Sequence, residues 1–433
     1  MVHFILTKHG LRDRRLTIRT FTISIIGALL IQSMASAAKP TTSTYETELI
    51  SSLRQLVLGE HVAAQRHLSA LTQKYPQSRL GRLVYADVLA AQAGLSNQID
   101  DYASAKDLVI ITRLREQLKN RWDYVQNQGP NRQGQVPTRL LYTGHPGHQL
   151  IYVDVPASRL YLFEYLNDRP VAVQDYYVSI GHQGAGKEQE GDRRTPIGIY
   201  HTTGYIPGQS LHERYGYGAL PINYPNSLDK SRARSGHGIW LHGTEPSWVN
   251  RSPLATDGCV SLSNLDFESL YKQLGKHTQT RVIIDDKPAW LPFEDLVSIR
   301  ERPLGKLLDW TAAWKRGDKN ALLEFYASSA TPSVSEKLID SFPVINPQPE
   351  FYSYPGETDH LLAVFRIQAT TGPVQILEQH WKRQSSNWKI VLETQMIYFN
   401  HTVYKTRFVT NISFNADQSV QQYASGAFHS GDA

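Results

Sequence analysis

The apolar residues of this 433-residue chain change their spacing twice, and each spacing implies a different kind of layer. Over residues 44–126 they recur at helical intervals. Leu49, Leu53, Leu56 and Val57 form one stripe, Gly59-Glu60 breaks it, and Ala64, Leu68 and Leu71 form a second that stops at Tyr75-Pro76. A third helix is expected over 80–93, ending at Gly94, and a last one over 104–126. A polar linker, 127–137, follows. From residue 149 the spacing falls to two: Ile151, Val153 and Val155 alternate, Pro156-Ala157-Ser158 turns, and Leu160-Tyr161-Leu162-Phe163 reads as a return strand. Further strands are expected over 171–180, 238–242 and 281–284, with a helix over 265–274 and dense glycine and proline between 181 and 225. After Pro288 helical spacing returns over 307–315, Gly317-Asp318 interrupts, a helix resumes over 321–326, and alternating runs cover 361–367, 374–381 and 388–392. The expected fold class is multidomain α+β: a helical module at 44–126, a mostly-β domain at 149–286, a C-terminal α+β cone at 304–400 and a tail at 401–433.

The first 37 residues read as an export leader. Five cations against one anion precede an apolar run at 21–31, and Ala35-Ser36-Ala37 supplies a small-residue cleavage pattern. The run is shorter than the roughly 20 apolar residues of a membrane span, which favours a cleaved leader over the alternative, an uncleaved membrane anchor. The leader also carries most of the formal charge of +5, so no nucleic-acid partner is expected. The expected location is the periplasm or cell envelope. In such a compartment cysteines normally come in pairs, yet this chain has one, Cys259. A lone cysteine there is either a reactive thiol or an inert buried one.

Its surroundings favour reactivity. Gly238-Ile239-Trp240-Leu241-His242-Gly243-Thr244 is followed, after a loop, by Thr256-Asp257-Gly258-Cys259-Val260-Ser261-Leu262-Ser263. A histidine that takes the thiol proton turns a weak nucleophile into a strong one. Seventeen residues separate His242 from Cys259, enough for a loop to bring the chain back beside the strand. Gly243 and Gly258 permit close backbone approach. The N–H groups of Gly258 and Cys259 are candidates for an oxyanion hole, in which each donor is worth about 2.7–4 kcal/mol.

The order of these residues resembles the L,D-transpeptidase (YkuD) signature: a histidine, Gly, a small hydroxyl residue, a gap, then Gly-Cys. Gly191-Asp192-Arg193-Arg194-Thr195-Pro196-Ile197-Gly198 is similar to a second segment of that family, and the hairpin over 151–163 to its first two strands. The resemblance implies that Cys259 attacks the carbonyl of the third residue of a peptidoglycan tetrapeptide stem and expels D-alanine, with His242 as base and Gly258 in the catalytic loop. It implies substrate contacts from Gly243, Thr244, Asp257, Ser261, Thr195 and Trp240. No metal or other cofactor is implied. An amine acceptor gives transpeptidation; water gives an L,D-carboxypeptidase that trims tetrapeptides to tripeptides. Ser261 stands where many members carry Arg or Asn, which puts the usual substrate clamp in doubt; Arg193, Arg194, Arg232, Arg234 and Arg251 are candidate replacements. Asp257 either orients His242 or His237 or caps the turn before Gly258.

Two weaker resemblances concern the flanks. The second helix resembles half of a tetratricopeptide repeat, but a solenoid needs about three repeats and barely one and a half are present, so docking of other cell-wall proteins and plain packing both stay open. Trp310, Trp314 and the segments at 315–318 and 325–327 resemble the opening of the nuclear-transport-factor-2-like (SnoaL-type) fold. Two rival readings are a wall-binding scaffold without activity and a zinc site from His237, His242 and Cys259, which lacks a zinc-enzyme motif. Strand alternation puts His237 and His242 on opposite faces, and Trp248 is a candidate for lining a sugar-peptide groove. Oligomeric state is not legible.

Overall fold

A computed structural model describes residues 41–42, 44–95, 104–129, 132, 134–142, 147–166, 169–275, 279–328, 344–345, 349–368, 374–385, 387–399 and 402–408. The expected leader, 1–37, and the last part of the expected tail lie outside them. Among the described residues no helix is long and apolar enough to cross a membrane.

A short strand, β1 (Thr41–Thr42), leads into α1 (Thr44–Val57), α2 (His61–Lys74), α3 (Arg79–Gln92) and α4 (Ala105–Asp123). Leu49, Leu53, Leu68, Leu71, Val84 and Leu114 meet in one core, as their spacing requires. Ser78 caps α3 by accepting from the Gly81 N–H at 2.9 Å, and Ser104 caps α4 through the Asp107 N–H at 3.3 Å. The module is fixed to its neighbour by charge. Glu46 on α1 sits between Arg121 on α4 and Arg159 of the central sheet, its Oε1 2.6 Å from Arg159 Nη2. All three are buried.

The polar stretch expected as a linker at 127–137 ends in a strand, β2 (Gln135–Pro137). Val136 is 4% exposed and packs with Leu296 and Leu307, which is why this segment is held rather than free.

The central domain is built from β3 (Gln149–Asp154), β4 (Arg159–Leu166), β5 (Arg169–Tyr177), β6 (Ile180–Gly181), β7 (Gly198–His201), β8 (Ile206–Pro207), β9 (Gly218–Pro221), α5 (Ser227–Ser231), β10 (Trp240–His242), β11 (Leu254–Thr256), β12 (Val260–Ser261), α6 (Asn264–Leu274) and β13 (Arg281–Asp285). The main sheet has the order β1-β5-β4-β3-β13-β7, and a smaller one runs β12-β10-β9-β8. Residues along the main sheet divide cleanly between its faces. Ile151, Val153, Leu160, Leu162, Val282 and Ile284 pack toward the smaller sheet and α6. Leu150, Tyr152, Tyr161, Phe163 and Ile283 pack the other way, against the C-terminal region. A strand buried on both faces must be apolar at every position, which explains the unbroken run at 160–163.

Beyond β13, β14 (Trp290–Pro292) pairs with β2, and α7 (Phe293–Arg316) begins well before residue 304, where the C-terminal region was expected to start. Glu294 and Asp295 suit its positive N-terminus, Leu296 is fully buried, and Pro303 lies within it. α8 (Lys319–Leu323) follows Gly317, whose φ of 65° ends α7. The remaining strands are β15 (Val344–Ile345), β16 (Glu350–Ser353), β17 (His360–Gln368), β18 (Val374–Gln384), β19 (Asn387–Phe399) and β20 (Thr402–Phe408), in one antiparallel sheet. Trp310 of α7 is buried against Phe365 with ring centroids 4.7 Å apart. Residues 402–408 therefore extend a sheet, pairing with 394–399, where a tail was expected. Their alternating, β-branched and aromatic composition suits an edge strand.

Candidate active site

β10 and β12 run parallel and side by side, with Leu241 opposite Val260 and His242 opposite Ser261. One step back along both strands, the Trp240 N–H meets the sulfur of Cys259. Paired residues of neighbouring strands share a face, so His242 and Ser261, with Trp240, lie on one side of this sheet, and Cys259 immediately precedes β12. Leu241 and Val260, fully buried, anchor the opposite side in the core.

Cys259 keeps an exposed edge. Its thiol donates to the Gly238 carbonyl at 3.4 Å. His242 is 2% exposed, with Nδ1 2.6 Å from the Gly243 carbonyl. That contact requires a proton on Nδ1 and leaves the lone pair on Nε2. Burial pushes the thiol up to about 11, opposed by the Trp240 N–H and the charge of Arg251. Burial and Arg251 push His242 down to about 3. Both shifts favour the neutral forms. At rest the site holds a thiol and an imidazole, with no hydrogen bond between them. The Trp240 N–H and Arg251 offset the effect of burial on Cys259 only in part.

Several residues expected to touch substrate instead hold the site together. The Ser261 hydroxyl donates to the Gly243 carbonyl at 2.9 Å, the same oxygen that fixes His242. Thr195 is fully buried and donates to the Gly258 carbonyl at 2.9 Å while accepting from the Gly181 N–H at 3.0 Å. Thr244 is fully buried, donates to Glu245 at 2.7 Å and accepts from Arg251 at 3.1 Å. Each hydroxyl is buried with a hydrogen-bond partner that satisfies it.

The glycines are sterically required. Gly258 has φ of 127°, and a Cβ there would lie 2.8 Å from the Arg194 carbonyl. A Cβ on Gly243 would lie 2.2 Å from Asn264 Oδ1. The Gly258 N–H is already given to Thr256 Oγ1 at 3.2 Å, which removes it from the expected oxyanion hole. Asp257 is a surface residue 3.7 Å from Arg193, with no bond to His242 or His237. His237 precedes β10 and lies exposed, 3.8 Å from Glu190, so strand alternation does not reach it.

The candidate clamp arginines are also placed. Arg194 donates to the Ala185 carbonyl at 3.0 Å, Arg232 lies 2.5 Å from Glu357, Arg234 3.0 Å from Asp229 and Arg251 2.7 Å from Glu245. Trp240 is half-buried beside the thiol. Trp248 stacks under Arg79, its ring 3.8 Å from the guanidinium. Among the described residues no three His, Cys, Asp or Glu side chains are grouped to hold a metal.

Two further residues shape the site. Tyr215, in a short turn at Glu213–Tyr215, sets its ring 5.0 Å from that of His242 at 82° and 4.9 Å from that of Trp240. Asn264 accepts from the Tyr217 N–H at 2.9 Å and the Thr244 N–H at 3.1 Å, and donates to the Thr244 carbonyl at 2.7 Å. It ties the Tyr215 segment to the end of β10. Asp192 folds the 187–194 loop, accepting from the N–H groups of Glu188, Gln189 and Arg194 and from Lys187. These bonds hold its carboxyl down at about 2.

A part-exposed thiol beside the start of β12 and a buried imidazole at the end of the adjoining β10 form a candidate cysteine acyltransferase site. Residues 148–284 match the YkuD family, the L,D-transpeptidase catalytic domain, so the chain carries a domain of that kind. The family is one of cysteine-dependent L,D-transpeptidases acting on peptidoglycan stem peptides, which supports that general activity here. No curated protein matches the sequence. The structure of Bd1075 from Bdellovibrio bacteriovorus is similar at a TM-score of 0.50 and 23% identity, over 61% of this chain and 99% of that one. The helical cell shape determining protein Pgp2 from Campylobacter jejuni gives 0.45 and 21%, over 59% and 95%.

Proposed function

We propose that Cys259 is the nucleophile and His242 the general base of an exported enzyme that acts on tetrapeptide stems of peptidoglycan. The observation that supports this is the β10–β12 pairing, which brings the strand ending at His242 beside the segment that starts at Cys259, while Gly243 fixes the imidazole tautomer. As the sulfur attacks the carbonyl of the third stem residue, a carbon–sulfur bond forms and the thiol proton moves to His242 Nε2. The carbon–nitrogen bond then breaks, and His242 returns the proton to the amine of D-alanine. Because both groups rest neutral, the charge separation develops only as attack proceeds. Catalytic hydrogen bonds of this kind often form only with substrate present. With the Gly258 N–H engaged, the Cys259 N–H is the donor left for the oxyanion.

The thioester is resolved by an amine from another stem, which makes the enzyme a transpeptidase. Water as acceptor is the second reading, favoured by Ser261, which is turned inward on Gly243 and offers nothing to an acceptor chain. Incubation with tetrapeptide muropeptides separates them: linked dimers mean transfer, tripeptides alone mean trimming, and an unchanged tetrapeptide removes both. We also assign residues 1–37 to export and the C-terminal region to a SnoaL-type module that packs against the catalytic sheet. Retention of the full chain inside the cell, or a C-terminal region that folds otherwise, would overturn those two assignments.

A further inference from the structure

A cavity of about 510 Å3 lies between the helical module and the catalytic domain. Arg79 at the start of α3 and Ile110, Arg113 and Leu114 on α4 form one wall. The other wall includes Arg214, Glu245, Trp248 and Arg251. Glu245 is committed to Arg251 at 2.7 Å. Arg79, Arg113 and Arg214 have no ion-pair partner among the described residues, and Glu213 is the remaining carboxylate on the lining. The lining is therefore net positive, with apolar patches from Leu114 and the Trp248 ring.

Three parts of this wall run straight into the catalytic residues. Arg214 precedes Tyr215, which covers the His242 ring. Glu245 and Arg251 are bonded to Thr244, two residues from His242. Ala255 lies on β11, which leads through Thr256 to Cys259. Arg251, on the lining, is near enough for its charge to act on both Cys259 and His242.

We propose that this cavity is a carboxylate subsite, closed by the helical module, that receives the terminal carboxylate of the donor stem. Guanidinium groups match a carboxylate in shape and charge, and those of Arg79 and Arg113 come from outside the catalytic domain. The proposal rests on the stem-processing reading above. It gives the helical module a part in binding substrate. It also supplies the anchoring cation that Ser261 does not.

The test uses the full chain and a tetrapeptide stem prepared as free acid and as C-terminal D-alanine amide. Losing a charge-assisted hydrogen bond is expected to raise KM for the free acid about tenfold in the Arg79→Ala/Arg113→Ala variant, with a smaller change in kcat. KM for the amide moves much less. Arg113→Lys in the Arg79→Ala background recovers part of the loss, and Arg54→Ala, exposed on α1, serves as the unaffected control. Equal KM changes for acid and amide, or none for either, overturn the subsite. Wild-type protein that neither turns over the free acid nor binds it, as Cys259→Ser in calorimetry, takes the stem-processing reading down as well. Wild-type turnover with insensitive arginines removes the subsite alone.

Discussion

Two polar clusters, one between the helical module and the main sheet and one around His242 and Cys259, have opposite characters. Glu46, Arg121 and Arg159 are as buried as His242, yet they are charged and paired, and they join the helical module to the main sheet. His242 and Cys259 are given few partners: a carbonyl each and one N–H. Burial alone pushes a group toward neutrality, and burial beside an opposite charge preserves ionisation. The interface uses the second arrangement for attachment. The candidate active site uses the first, so that proton transfer waits for substrate.

The largest effect that could break this comparison is at His242. His242→Ala is expected to lower stem turnover by about 10²–10⁴-fold. Turnover within twofold of wild type in steady-state assays would mean that another group takes the proton. Next is Glu46→Ala, which leaves two buried guanidiniums unpaired and is expected to cost about 3–5 kcal/mol in denaturant unfolding. A change under about 1 kcal/mol, the range of a surface ion pair, would place this cluster in solvent.

The pH dependence sharpens the comparison from another side. A thiol pushed up to about 11 gains thiolate as pH rises, so iodoacetamide labelling of Cys259 should climb about tenfold per unit from neutrality. A plateau below pH 8 would reveal a preformed ion pair. Folding stability carries the matching signature for histidine. His201 and His242 are both held down at about 3, by burial first. Their unfolded forms bind protons below about 6.5, so stability falls as pH drops through the window from 6.5 to 3, by up to about 1.4 kcal/mol per unit for each ring. His201→Asn should flatten that slope by about one proton. The smallest effect expected is for Ser261→Ala, which removes one hydrogen bond to Gly243 and is worth about 1 kcal/mol, or several-fold in kcat. An unchanged kcat would leave Gly243 fixed by other contacts.

Much of this architecture is legible in the sequence because it follows from periodicity. The helical stripe through Leu49, Leu53, Leu68 and Leu71 and the alternation at Ile151 and Val153 each report the faces that must be buried. That the chain returns beside the strand ending at His242 is legible, because strand, gap and glycines constrain one another. The roles of Thr195, Thr244 and Ser261 are not, since a hydroxyl's partner depends on which strand lies across from it. Asn264 and Tyr215 act on His242 from distant segments, and no local pattern marks either. Strands β2 and β20 were missed for a related reason: three to seven residues of polar or mixed sequence become strands only when a partner edge is available. α7 extends well before the expected 307–315, starting at Phe293 with Pro303 inside it.

The most direct test is the fate of a purified tetrapeptide muropeptide with wild-type protein and with Cys259→Ala, followed by mass spectrometry of the products and of the intact protein. The account predicts that wild type releases D-alanine and passes through an acyl adduct on Cys259, and that the variant does neither. D-alanine release by Cys259→Ala at the wild-type rate would contradict it.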